Sequence, residues 1–198
     1  MALDPDSTTQ ARTATGRAED SGRQVVDGAV FGRAAAVLRL LISVTFLWAF
    51  FDKAFGWGYA TPSGRAWVEG GSPAKGFLSG VAVGPLESTF HSMAGQVWVD
   101  WVFMLGLLGI GCALATGVGL RVAAVAGTVM MALMCAEWPP AKHLSDGTPS
   151  MSMNPLIDYH VLYAAVLIVL AIASAGRTWG LGRTWERLPF VARHRWLL

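Results

Sequence analysis

The chain has 198 residues, of which 54% are hydrophobic and only 14% charged, with a formal net charge of +2. A soluble domain carries nearer 25% charged residues, so an ordinary water-soluble globule is a poor fit, and the small net charge gives no reason to expect nucleic acid as a partner. The two cysteines, Cys112 and Cys135, form no CxxC and no Cys/His ligand spacing, which argues against a sequence-encoded metal or redox motif.

Residues 1–30 are rich in Thr, Ser, Ala, Gly, Asp and Arg and lack an apolar run. They read as a disordered tail, not a secretory signal. Four apolar segments follow, at about 34–55, 97–117, 122–138 and 159–175. Each is near the roughly 20 residues that cross a bilayer as a helix. Between Trp101 and Leu120 there is no Asp, Glu, Lys or Arg. The predicted fold is all-α: a four-helix transmembrane antiparallel bundle over 31–176.

Arg39 lies inside the first segment. Its depth predicts that it snorkels to the near surface on its long stem; the alternative is that it turns inward to hold a partner or an anionic group. The loop over 56–96 is dense in turn formers, with Pro62, Gly64, Gly70, Gly71, Pro73 and Gly76. It is expected to lie on the membrane surface or fold over the bundle mouth, in part as short helix.

Gly117–Arg121 is short enough to require a tight turn, so the second and third helices are read as a hairpin. Gly109, Ala113 and Gly117, and Gly111, Ala115 and Gly119, recur at four-residue spacing. Ala124, Thr128, Ala132 and Ala136 offer a matching small face. Such faces let helices approach closely in lipid. Cys112 and Cys135 are offset by roughly 12 Å in depth, too far for a disulfide.

Basic residues set the orientation. Arg12, Arg17, Arg23 and Arg33 precede the bundle, Arg121 sits in the hairpin turn, and Arg177, Arg183, Arg187, Arg193 and Arg195 follow it. Only Lys53, Arg65, Lys75 and Lys142 fall on the other side. The positive-inside rule makes both termini cytoplasmic in a multi-pass plasma-membrane protein. Trp57, Trp98, Trp101 and Trp138 would form the outer interfacial belt, and Trp179 and Trp185 the inner one. Residues 177–198 read as a basic, aromatic tail suited to an anionic cytoplasmic membrane surface.

The candidate chemistry lies at the outer rim. Asp52 and Lys53 close the first helix, Asp100 opens the second, Glu137 closes the third, and Asp158 and His160 open the fourth. Antiparallel threading brings them to one depth, where ionisable groups turn inward and pair. His160, Asp100 and Asp158 are the candidate catalytic residues, able to exchange a proton with a quinone headgroup. Asp52, Lys53, Trp101, Glu137 and Tyr163 are candidates for binding it. His160 and Tyr163 share a helix face, and Asp158 is expected to point elsewhere. The bland alternative is a ring of solvated helix ends with satisfied ion pairs. Haem and flavin have no signature here, and a metal site on His160 has no diagnostic spacing.

Several segments together resemble the DoxX/DoxD family of small membrane proteins. They are Phe46-Leu-Trp-Ala-Phe-Phe-Asp-Lys53, Ala66-Trp-Val-Glu-Gly-Gly-Ser-Pro73, Asp100-Trp-Val-Phe-Met-Leu-Gly106, Asn154-Pro-Leu-Ile-Asp-Tyr-His160 and Thr178-Trp-Gly-Leu-Gly-Arg183. The resemblance spans about 33–190 and implies a four-helix bundle. It also implies a redox-associated role: the DoxD branch is the membrane subunit of thiosulfate:quinone oxidoreductase, and other branches are linked to thiol redox homeostasis. A quinone is the cofactor so implied. The expected partners are the lipid bilayer, a soluble or membrane-bound redox protein and a second copy of the chain. The rival reading is a non-catalytic scaffold or anchor for a redox enzyme or larger membrane complex. A transporter is disfavoured, since no pair of Pro/Gly-broken helices marks a midplane site.

Overall fold

The computed structural model describes residues 5–81, 84–135 and 157–197. Among them there is no strand. The long elements are α1 (Pro5–Phe55), α4 (Val97–Thr116), α5 (Leu120–Met134) and α6 (Tyr159–Ile172). Two short helices, α2 (Lys75–Gly80) and α3 (Glu87–Met93), lie in the long loop, and α7 (Gly182–Glu186) and α8 (Pro189–Arg193) in the tail. The helix from Pro5 differs from the disordered tail expected over 1–30. That expectation rested on the lack of apolar residues to bury, whereas Ala, Arg, Gln and Glu favour local helix.

Gly28–Phe55 and Val97–Thr116 are long and apolar enough to cross a membrane. At 1.5 Å per residue the second spans about 30 Å, the thickness of a bilayer core. α5 and α6 are shorter, at 15 and 14 residues. Glu137, Trp138 and the expected outer connection over 139–156 lie outside the described residues.

Each long helix packs mainly on its neighbour in this order: α1 on α4, α4 on α5, α5 on α6. On α4 the buried stripe is Asp100, Met104, Leu107, Gly111 and Leu114, an alternating four-and-three spacing that keeps one face inward. On α1 the matching stripe is Ala35, Arg39, Ile42 and Phe46. At Gly111 the two approach closely: a Cβ there would lie 2.7 Å from Leu47 Cδ2. Ser43 Oγ donates to the Gly111 carbonyl across the same contact, 2.9 Å. Gly127 of α5 plays this part for α6, seating Leu167. The small-residue repeats are thus used unevenly, because Gly109 has nothing within 4 Å of its Cβ position and Ala132 is exposed.

The outward faces of all four helices are apolar. Leu41 and Val44 on α1, Val102 and Leu105 on α4, Val125 and Val129 on α5, and Leu162, Val169 and Ile172 on α6 are all more than half exposed. Water-soluble monomers rarely leave so continuous an apolar surface uncovered. At the end carrying the long loop, α2 and α3 make a small core of their own. Ala74, Leu78, Val81 and Phe90 pack on Val99 at the start of α4.

Candidate functional site

The bundle has two chemically distinct ends. At the tail end α4 stops at Gly117, which takes the left-handed conformation (φ 73°) that glycine adopts freely. The Gly117 and Val118 N–H groups both return to the Ala113 carbonyl. The last three carbonyls of the helix then have no intrahelical donor. Arg39 supplies two of them, donating through Nη1 to the carbonyls of Leu114 and Ala115. The Leu181 N–H supplies the third, at 2.7 Å from the Thr116 oxygen. Arg39 Nη2 also holds the Trp179 carbonyl at 2.9 Å. Arg39 is therefore wholly buried and does not snorkel. A helix C-terminus is the negative end of the dipole, so a buried guanidinium is well placed there.

This clamp folds the tail back on the bundle. Gly176 lies so close to Gly117 that a Cβ on it would sit 2.0 Å from the Gly117 oxygen. Gly180 and Gly182 pack on Gly176 in turn. Trp179 is held at φ 51°, a region that side chains other than glycine rarely occupy. Trp185 Nε1 donates to the Leu197 carbonyl at 2.9 Å, and Val191 is fully buried. Residues 177–197 are thus part of the folded body.

At the loop end the expected rim residues separate into groups. Asp52 is 1% exposed and accepts from the Tyr59 and Ala60 N–H groups at 3.1 and 3.0 Å. It ties down the chain that leaves α1. Asp100, also buried, accepts from the Ala74 N–H at 2.9 Å and fixes the start of α2. Lys53 Nζ lies 5.9 Å from the Phe103 ring centroid, a cation–π approach. Trp101 is half exposed and meets the Trp67 ring edge-on at 4.7 Å. These contacts are structural: each secures loop or helix, and none converges on His160.

The head of α6 is different. Asp158 is its N-cap, accepting from the His160 N–H at 3.3 Å. Its other oxygen meets His160 Nδ1 at 3.1 Å, so Asp158 does not point away from His160 as expected. An N-cap carboxylate folds back over the first helical turn, and that reach brings it to the imidazole two residues on. The His160 side chain is 8% exposed and that of Asp158 28%. The Tyr159 ring lies with its centroid 4.0 Å from that of the imidazole, tilted by 33°, and meets Tyr163 edge-on at 5.9 Å. Tyr163 therefore joins the group through Tyr159.

Cys135, the C-cap of α5, completes the cluster. One potential ligand atom from each of Cys135, Asp158 and His160 lies within 4.8 Å of the others. Spacing could not reveal this residue, since it is far from His160 in sequence. The available signal was depth: Cys135 sits near the loop end of α5, level with the start of α6. Cys112 is exposed and both cysteines are free.

Two cavities among the described residues lie away from this cluster. One is a void of about 20 Å³ between Gly117, Gly176, Trp185 and Glu186. The other is an open groove of about 640 Å³ between α5 and α6, lined by Ala124, Val125, Thr128, Val129, Ile168 and Ile172. No family model, no curated protein and no solved structure matches the chain.

Proposed function

We propose that the chain is a four-span membrane protein, with both termini cytoplasmic, that docks a quinone headgroup at the head of α6 as the membrane subunit of a redox system. The membrane reading is supported by the apolar outward faces of α1, α4, α5 and α6 together with two helices of spanning length. α5 and α6, about 21–23 Å long, are accommodated by local thinning of the bilayer. The excess of arginine at the tail end supports the orientation.

The observation that carries the redox reading is the part-buried His160–Asp158 pair at 3.1 Å. A carboxylate at Nδ1 selects the tautomer with its proton on that nitrogen and leaves the Nε2 lone pair as an acceptor. Nε2 can then take a hydrogen bond from a quinol hydroxyl, with Tyr159 and Tyr163 as flat apolar neighbours. By its resemblance to the DoxX/DoxD family, thiosulfate is the first donor to test. Two thiosulfates join through a new S–S bond and release two electrons. Quinone accepts these with two protons and leaves as quinol.

The test is quinone reduction by the full chain in proteoliposomes with thiosulfate, with and without co-purified proteins. His160→Ala and Asp158→Asn are expected to abolish most of the turnover, while Asp100→Asn is expected to retain it. Full activity in His160→Ala would remove the site. A second reading, a membrane anchor for a soluble redox enzyme, draws on the exposed Phe190 and Trp196 of the tail. It predicts that their replacement by serine releases a bound partner without changing the fold.

A further inference from the structure

We propose that Cys135, Asp158 and His160 form a binding site for a borderline-soft divalent cation of the zinc class. Thiolate, imidazole and carboxylate are the three protein donors that Zn²⁺ takes, at about 2.3, 2.0–2.1 and 2.0–2.2 Å. With N and O bonds of that length, two ligands of a tetrahedral ion are separated by roughly 3.3 Å. The His160 Nδ1 to Asp158 Oδ2 distance of 3.1 Å already matches that edge. The remaining separations are under 4.8 Å, so side-chain rotation about the Cys135 Cα–Cβ bond closes the site without moving a helix.

Two further features favour a cation here. The donors come from two helices, with Cys135 at the C-terminus of α5 and Asp158 and His160 at the start of α6, so the opposite end charges of the two helices offset each other. One thiolate and one carboxylate together neutralise a divalent ion, so the loaded site carries no net charge. That balance suits a place at the edge of a bilayer, where an uncompensated charge is costly. Asp158, its side chain 28% exposed, gives the ion its way in, and the fourth position of the tetrahedron stays open to water. Bound metal would pin the C-terminus of α5 to the N-terminus of α6 across their connection. This site does not depend on quinone docking: a metal on His160 Nδ1 displaces the proton that Asp158 would otherwise hold there and leaves Nε2 as an N–H donor, so metal and quinol are alternative occupants of one imidazole.

The experiment uses the full chain in nanodiscs, free of quinone. Zn²⁺ retention after dialysis is measured by elemental analysis, and Co²⁺ is added as a spectroscopic probe. One ion per chain is expected, with a thiolate-to-cobalt charge-transfer band in the near ultraviolet. Cys135→Ser is expected to abolish that band. Cys135→Ser and His160→Ala are each expected to weaken Zn²⁺ binding by roughly 10–100-fold or more, the range that even indirect partners of a ligand command. Asp158→Asn keeps a good N-cap, so it tests the carboxylate with the helix start intact, and it should weaken binding similarly. Cys112→Ser and His91→Gln should bind as the parent does. No retained Zn²⁺, or retention indifferent to Cys135→Ser and His160→Ala, would overturn the proposal. Absence of quinone turnover in the parent chain, with metal binding intact, would instead sink only the redox reading.

Discussion

At the tail end of the bundle, helix α4 presents carbonyls and a cation meets them; at the loop end, connecting segments present N–H groups and carboxylates meet them. Arg39 holds the oxygens of Leu114, Ala115 and Trp179. Asp52 and Asp100 hold the N–H groups of Tyr59, Ala60 and Ala74. Both arrangements satisfy backbone groups that would otherwise be buried without partners. The difference between the ends is what remains after that need is met. At the tail end the buried Arg39 guanidinium is occupied at both Nη1 and Nη2. At the loop end Cys135, Asp158 and His160 still face one another.

The tail end depends most on Arg39. Arg39→Met keeps the volume and leaves three carbonyls without their donor, at a cost of about 3–5 kcal/mol, since hydrogen bonds to charged groups are worth about 1.5–3 kcal/mol each and partly share that loss. Arg39→Lys recovers only part, because an ammonium lacks the planar fork that spans separate acceptors. Thermal or denaturant unfolding in detergent reads both. A snorkelling arginine would lose under about 0.5 kcal/mol on the same change.

The glycine seam is next. Gly176→Ala places a methyl 2.0 Å from the Gly117 oxygen. Backbone cannot give way as a side chain does, so the tail must shift, at about 1–3 kcal/mol. Limited proteolysis is then expected to cut after Arg177 or Arg183 faster than in the parent. Gly109→Ala is the control. It meets nothing within 4 Å and should be neutral, or stabilising by up to about 1 kcal/mol through helix propensity.

The carboxylates of the loop end can be ranked against each other. Asp52 uses both oxygens, one on each of two N–H groups, whereas Asp100 uses one oxygen on a single N–H. An asparagine retains one carbonyl oxygen and loses the other. Asp52→Asn should therefore cost about 1–2 kcal/mol, and Asp100→Asn about half that or less. Hydrogen exchange at Tyr59, Ala60 and Ala74 measures the difference. Equal effects would mean that charge at the rim, and not the individual hydrogen bonds, holds the loops.

The long helices and the α4–α5 hairpin were legible in the sequence, because length, apolar content and glycine placement act locally. The direction of Arg39 was half legible. Its depth suggested the surface, but its spacing from Ala35, Ile42 and Phe46 places it on the packed stripe, and face outweighs depth when carbonyls wait on the neighbouring helix. The docking of the tail was not legible, since Gly117 and Gly176 meet through backbone atoms that no side-chain pattern encodes. Helix ends singled out Asp52 and Asp100, yet their partners are loop N–H groups, which every residue but proline carries. Cys135 was missed for the same reason: its partnership with His160 comes from the register of α5 against α6.

The smallest expected effect lies on the tail's outer surface. Arg177 donates through Nε and Nη2 to the two Glu186 oxygens at 2.8 and 3.0 Å. The hydrogen bond and the charge of Glu186 hold the guanidinium above the usual arginine range. A raised value means that Arg177's contribution is complete at neutral pH and is lost only as strongly alkaline solution deprotonates it. Salt is the useful lever instead, because Arg177 is more than half exposed and a Debye length of about 8–10 Å already screens such a pair near physiological ionic strength. Glu186→Gln should cost under about 0.5 kcal/mol, and the difference should vanish in high salt. Arg39 should show the contrary behaviour, its stabilisation persisting in high salt because water and ions do not reach it. If both respond to salt alike, the clamp at the tail end is open to solvent, and the contrast between a sealed end and a chemically available one fails.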